Sequence, residues 1–183
     1  MRIRPTTGAD RAWTESLLVE HFGSTRVVRL GVALDAAGLP GLVCEEDGQP
    51  AGLLTYAIDG VALEVVTIGA LRRHRGVGTA LLGSVLDVAR RAGCERVWLI
   101  TTNDNVDALR FYQRRGFRIV AVHREAADRA RLIKPSMSLL GAYGIPMHDE
   151  LELELDVSDG EKQVSDGVEQ VSDGVEQVSD GVE

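Results

Sequence analysis

Near its end the chain sets Leu151, Leu153, Leu155 and Val157 alternately with Glu152, Glu154 and Asp156. That period of two belongs to a strand with one covered face. The same logic runs back along the sequence. Arg2 to Arg4 is a short strand, and Ala9 to Phe22, with Trp13, Leu17 and Leu18 on one face, is an amphipathic helix. Residues 24–40 carry no decisive period, although Leu39-Pro40-Gly41 marks a turn. Two hairpins follow. Gly41 to Glu46 and Ala51 to Ile58 flank Asp47-Gly48, and Asp59-Gly60 leads into Ala62 to Ile68.

After Ile68 the period lengthens. Gly76 to Ala92 reads as a helix stopped by Gly93, and Val97-Trp98-Leu99-Ile100 within Arg96 to Thr101 reads as a strand covered on both faces. A second such helix runs from Asn105 to Arg115 and ends at Gly116. Phe117 to His123 is a strand, Ala126 to Ile133 a short helix, and 134–147, with two prolines, a loop. Residues 151–157 are the half-exposed strand described first.

The remaining residues behave differently. VSDGEKQ, VSDGVEQ, VSDGVEQ and VSDGVE repeat every seven positions, and Val164, Val168, Val171, Val175, Val178 and Val182 recur at steps of four and three like a coiled-coil seam. Each unit also places a Gly inside the would-be helix, at a cost of about 1 kcal/mol each, with only Val side chains to offset it. The expectation is therefore one globular domain over 1–156 and a disordered tail over 157–183. The formal charge of -8 changes meaning with this division. From Val157 to Glu183 eight acidic residues stand against Lys162 alone, so the body is nearly neutral and offers no basic face for nucleic acid. With 44% hydrophobic residues the body can bury a core without disulfides, and Cys44 and Cys94 have no C-x-x-C spacing. No apolar run is long enough to cross a bilayer, so no membrane association is expected and the compartment read from the sequence is the cytoplasm.

Candidate chemistry begins at Arg73-His74-Arg75-Gly76-Val77-Gly78-Thr79, between a strand and a helix. The first turn of a helix has unpaired amides and a partial positive charge, and glycines let a phosphate come close. The spacing is neither G-x-x-x-x-G-K-[ST] nor G-x-G-x-x-G, which disfavours nucleoside triphosphates and dinucleotides. Thirty residues on, Asn105, Ala108 and Tyr112 fall on one helix face, where the small Ala leaves room for a thin ligand. Leu109 and Phe111 point into a core. Taken alone, each segment also fits an ordinary helix start and a half-buried tyrosine.

Together the two segments resemble the GCN5-related N-acetyltransferase (GNAT) family. Arg73, Gly76 and Gly78 meet the family's [QR]-x-x-G-x-[GA] signature, and Asn105, Ala108, Phe111, Tyr112, Gly116 and Phe117 meet its N-x-x-A-x-x-[FL]-Y-x-x-x-G-F segment. The resemblance implies an α/β fold of the α+β kind. Its central sheet would be mixed but mostly antiparallel, with six to seven strands, flanked by helices and splayed between the fourth and fifth strands. It also implies acetyl-CoA as co-substrate, without a metal. By the same resemblance, amides of Arg75, Gly76, Val77, Gly78 and Thr79, with Arg73, would hold the CoA pyrophosphate. Ile68, Gly69 and Ala70 would pair with the pantetheine, an amide near Ile68 would polarise the thioester carbonyl, and Asn105 and Ala108 would line the arm. Tyr112 would protonate the departing thiolate. The turn Ile68-Gly69-Ala70-Leu71 departs from the V-x-P often found there.

An attacking ammonium must first lose a proton. Glu64, four residues before Ile68 and so expected on the same face, is the candidate base, with His123 second. His74 is expected near the phosphates, and His21 and His148 on the surface; no histidine pair has metal-ligand spacing. The function implied is direct transfer of acetyl to a primary amine of a small molecule or peptide. A non-catalytic acyl-CoA sensor or partner-binding module is the alternative. The acceptor is expected to be shaped by residues 21–35 and 124–147, whose charges are mixed. A homodimer is compatible with this reading.

Overall fold

The computed structural model describes residues 1–71 and 75–158. The strands are β1 (Arg2–Pro5), β2 (Arg26–Arg29), β3 (Val32–Asp35), β4 (Gly41–Glu46), β5 (Gln49–Asp59), β6 (Ala62–Ala70), β7 (Arg96–Thr102), β8 (Arg118–His123) and β9 (Glu150–Asp156). The helices are α1 (Arg11–Phe22), α2 (Val77–Arg91), α3 (Val106–Gln113) and α4 (Ala126–Ile133). Seven strands form one sheet in the order β1-β4-β5-β6-β7-β9-β8, and β2 pairs with β3 alone. Among the described residues only β6 and β7 run parallel; every other pair is antiparallel.

The two turns at Asp47-Gly48 and Gly60-Val61 close the expected hairpins, with Asp47 and Gly48 both at positive φ as a two-residue hairpin turn requires. Residues 24–40, ambiguous in sequence, form the β2–β3 hairpin, closed by Leu30 (φ 49°) and Gly31 (φ 75°). The terminal strand keeps the expected alternation, with Leu153 and Leu155 buried, Glu152 and Glu154 half-buried and Asp156 exposed, and β9 lies inside the sheet between β7 and β8. β7 departs from its expectation of cover on both faces; its residues alternate between buried and half-buried. The described residues include no helix long and apolar enough to cross a membrane. The expected tail lies outside the described residues beyond Ser158.

One face of the sheet carries α2 and α3. Leu81, Leu82, Val85, Leu86 and Ala89 of α2 bury against Leu54, Leu63, Val65, Val97, Leu99 and Leu153, each large side chain contributing about 1.5–3 kcal/mol. The other face carries α1, whose Leu17 and Leu18 meet Val43 and Leu53. Between the α2 side and the sheet, Gly52 permits a close approach: a Cβ there would lie 2.4 Å from Val77 Cγ1 and 2.9 Å from the Gly69 carbonyl oxygen. Replacing Gly52 with Ala is expected to cost about 1–3 kcal/mol and lower Tm by about 2–12 °C, read by thermal scanning. The opposite sign is expected at Gly83 in mid-α2, where a Cβ meets nothing within 4 Å; Gly83→Ala should gain about 0.8–1 kcal/mol of helix propensity.

Candidate active site

The sheet opens between β6 and β7, the fourth and fifth strands of the large sheet in chain order. Their ladder has four pairs, from Ala62↔Arg96 to Val65↔Leu99, and stops there. β6 goes on to Ala70 along β5, while β7 goes on to Thr102 along β9. From Val66 to Ala70, one backbone edge of β6 therefore faces the opening without a strand partner among the described residues. That edge can accept an extended chain as a new strand.

A β-bulge sits at the point of opening. Thr55 pairs with Thr67 and Tyr56 with Val65, leaving Val66 as the extra residue. A bulge shifts the alternation of side chains by one. Leu63 and Val65 belong to the core on the α2 side, and so do Ile68 and Ala70, whereas Val66 packs against the α1 side. Glu64 and Ile68 consequently lie on opposite faces, a correction to the spacing argument made from sequence. Ile68, Gly69 and Ala70 are half-buried at the opening.

The N-terminus of α2 sits beside this edge. Gly76 is its N-cap at φ 80°, a left-handed conformation, and no side chain caps it. The first intrahelical bond runs from the Ala80 amide to the Gly76 carbonyl (2.9 Å), so the amides of Val77, Gly78 and Thr79 have no partner among the described residues. Gly78 serves packing as well: a Cβ would stand 3.2 Å from the Phe111 ring. Arg75 is exposed, 4.0 Å from the Glu46 carboxylate. Arg73 and His74 lie outside the described residues.

Helix α3 supplies the other wall. Asn105 is its N-cap, accepting the Ala108 amide on its side-chain oxygen (3.3 Å), so part of its hydrogen-bonding capacity is spent on the helix itself. Ala108 is half-buried against the α2-side core. Tyr112 is buried in that core, its ring 5.2 Å from Phe111 and 5.6 Å from Phe117. Among the described residues nothing hydrogen-bonds its hydroxyl, and burial pushes the phenol well above its ordinary value. Sequence reasoning missed Arg115. Its guanidinium stacks 3.8 Å from the Phe111 ring centroid and donates to the Phe111 carbonyl (2.7 Å) and to Thr79 Oγ1 (2.5 Å), tying α3 to the first turn of α2. Its position four residues after Phe111 was the available signal.

The face opposite α2 and α3 is acidic near the opening. Glu64 is buried and both its oxygens accept from Arg29, at the tip of the β2–β3 hairpin (Nε to Oε1 2.5 Å). Glu150 is 1% exposed, and its Oε2 accepts the Leu30 amide at the same tip (2.7 Å). His123, in register with Glu150, bonds Glu152 at 3.0 Å. His21 and His148 are exposed. The late loop is pinned by Asp104, whose Oδ2 accepts the Ala142 amide (2.9 Å), and by Asn103, which accepts from His148 and Asp149.

The sequence that builds this site also matches a known group of proteins: the model of the acetyltransferase (GNAT) family covers residues 9–117. The chain belongs to that family. It is an acetyl-CoA-dependent acetyltransferase, and its mixed sheet with flanking helices is the GNAT fold. Its relatives include the Bacillus subtilis (strain 168) protein YdhI, 34% identical over 152 residues that make up 82% of this chain and 95% of YdhI. A mycothiol acetyltransferase of Clavibacter sepedonicus is 39% identical over 83 residues, 44% of this chain and 27% of that protein. Among solved structures, a Bacillus subtilis acetyltransferase in complex with CoA superposes with a TM-score of 0.63 at 19% identity, covering 85% of this chain and 97% of its own.

Proposed function

We propose that this acetyltransferase moves acetyl directly from acetyl-CoA to a primary amine of a small-molecule or peptide acceptor, in the cytoplasm, through residues 1–156. The observation that carries this reading is the unpaired edge of β6 beyond the Val66 bulge, flanked by the free amides of α2 on one side and by Tyr112 on the other.

Amides of Gly76, Val77, Gly78 and Thr79 would hold the pyrophosphate, with Arg75 adding charge and Arg73, from the sequence motif, expected to do the same. The edge from Ile68 through Gly69 to Ala70 would bind the pantetheine as a neighbouring strand, and Asn105 and Ala108 would line that arm. An amide of β6 near Ile68, on the edge that β7 leaves open beyond Val65, would donate to the thioester oxygen and stabilise its developing charge. Tyr112, kept protonated by burial, would give a proton to the sulfur as it leaves. Neither cysteine is in this group of residues, which favours direct transfer over a covalent thiol intermediate.

Acetyl-CoA titrated into the protein by calorimetry, followed by thiol release with spermidine, tyramine and an alanine-initiated peptide, tests the reading. Saturable binding together with release of thiol and an acetylated amine in the mass spectrum is the expected result. Binding without release from any amine would favour an acyl-CoA sensor instead. Absence of binding at millimolar acetyl-CoA would overturn both.

A further inference from the structure

Two carboxylates lie under the tip of the β2–β3 hairpin, and they are not equivalent. Glu64 gives both oxygens to the Arg29 guanidinium. Glu150 gives one oxygen to a neutral donor, the Leu30 amide, and among the described residues its Oε1 has no hydrogen-bond partner and neither oxygen an ion pair. That second oxygen is not one of the sealed, partnerless side-chain atoms among the described residues, so an otherwise enclosed carboxylate keeps one oxygen open to a small ligand.

Its position suggests a task. Glu150 pairs with Thr102, three residues past Leu99, where β7 has already left β6. It therefore stands at the mouth of the opening. Odd-numbered residues of β7 and β9 such as Val97, Leu99, Leu153 and Leu155 face the core beneath α2 and α3, where Tyr112 also lies. Glu150, an even position, projects from the other face. Across the opening the sheet thus presents a phenol from one side and a carboxylate from the other, as a reaction needs when the nucleophile arrives and the leaving group departs on different sides.

We propose that Glu150 is the carboxylate that takes the proton from the acceptor's ammonium, and that the acceptor reaches it under the Arg29–Leu30–Gly31 turn. This deepens the amine-acetyltransferase reading and rests on it. The ammonium gives its first proton to Glu150, which passes it to solvent. The free amine attacks the thioester carbon, a C–N bond forms and the C–S bond breaks. As the adduct collapses, Tyr112 gives its proton to the CoA sulfur, and the second proton, shed by the new C–N nitrogen and relayed by solvent, restores the Tyr112 phenol. Glu64 is a positioning residue, holding Arg29 and with it the turn.

The groups facing Glu150 are Arg29 from β2, His123 from β8, Arg129 from α4 and, two residues on along its own strand, Glu152. Burial raises the Glu150 carboxyl above the usual carboxylate range, opposed by the Leu30 amide and the fields of His123, Arg29 and Arg129. A base nearer neutrality accepts a proton from an ammonium more readily than an ordinary carboxylate does.

The test is Glu150→Gln, which keeps the shape and can still accept the Leu30 amide. With the three amines named above, kcat/KM at neutral pH should fall about 10²–10⁴-fold and then recover about tenfold per pH unit as the amine deprotonates by itself, while calorimetric affinity for acetyl-CoA stays unchanged. An unaltered pH profile, or loss of acetyl-CoA binding with the rate, overturns the assignment. A second measurement needs no accepted amine: carbon-13 NMR of the glutamate carboxyls, with Glu150 identified by its disappearance in Glu150→Gln. Titration above the other glutamates, with a shift on adding spermidine, supports the proposal; titration in the ordinary range overturns it. Wild-type protein that binds acetyl-CoA but acetylates none of the amines counts against the amine reading, and the NMR result then decides Glu150 separately.

Discussion

Tyr112→Phe is expected to lower kcat by about 10²-fold or more while leaving the affinity for acetyl-CoA nearly intact. The ring is the part of Tyr112 that packs, against Phe111 and Phe117, and Phe retains it. The hydroxyl makes no hydrogen bond among the described residues, so its removal strands no buried partner and stability should hold. What would be lost is the proton proposed for the leaving sulfur. Because burial raises the phenol, the wild-type acid form persists through neutral and mildly alkaline pH, and no alkaline loss of rate from Tyr112 should occur near the ordinary phenol value. The same shift opposes unfolding only below that value and weakens as pH climbs past it. Thiol release measured from pH 6 to 10 on both proteins checks this. Equal turnover of the two across the range would remove Tyr112 from the chemistry.

The second large effect is on stability. Arg29→Met should destabilise the fold by about 3–5 kcal/mol, because it leaves the Glu64 carboxylate buried without its counter-charge. For a domain of this size that is a fall in Tm of about 6–20 °C. The double variant Arg29→Met with Glu64→Gln should recover much of the loss, since the charge that made the site costly is gone. Denaturant melts of the four proteins in this cycle measure it. A single variant as stable as wild type would show that the ion pair is not what holds the hairpin tip in place.

Most of the fold was legible because its signals are local. Asp47-Gly48 and the period of α2 specify structure within a few residues, and Ala126–Ile133 formed where its pattern placed it. The β2–β3 hairpin was missed since its turn uses Leu30-Gly31, a pair that puts a bulky residue at positive φ and so hides the usual turn signature. The location of β9 inside the sheet is a long-range pairing with β7 and β8 that no window of sequence contains. In the site, the glycine turn and the tyrosine helix were readable from spacing. The face of Glu64 was not, because one unpaired residue at Val66 reverses the alternation on which the argument relied. Glu150 stands one position ahead of the strand read over 151–157, where nothing local marks it out. Only the crossing of the hairpin above it, 120 residues away in sequence, distinguishes it from Glu152 and Glu154.

The bridge from Arg115 to Thr79 has a geometric corollary. It fastens the turn that would grip the phosphates to the helix that bears the proposed leaving-group acid, so the span between those two points belongs to the polypeptide and not to whatever lies along it. A carrier with a shorter arm than CoA, anchored by the same phosphates, would present its sulfur short of Tyr112, and the site would act as a ruler for its donor.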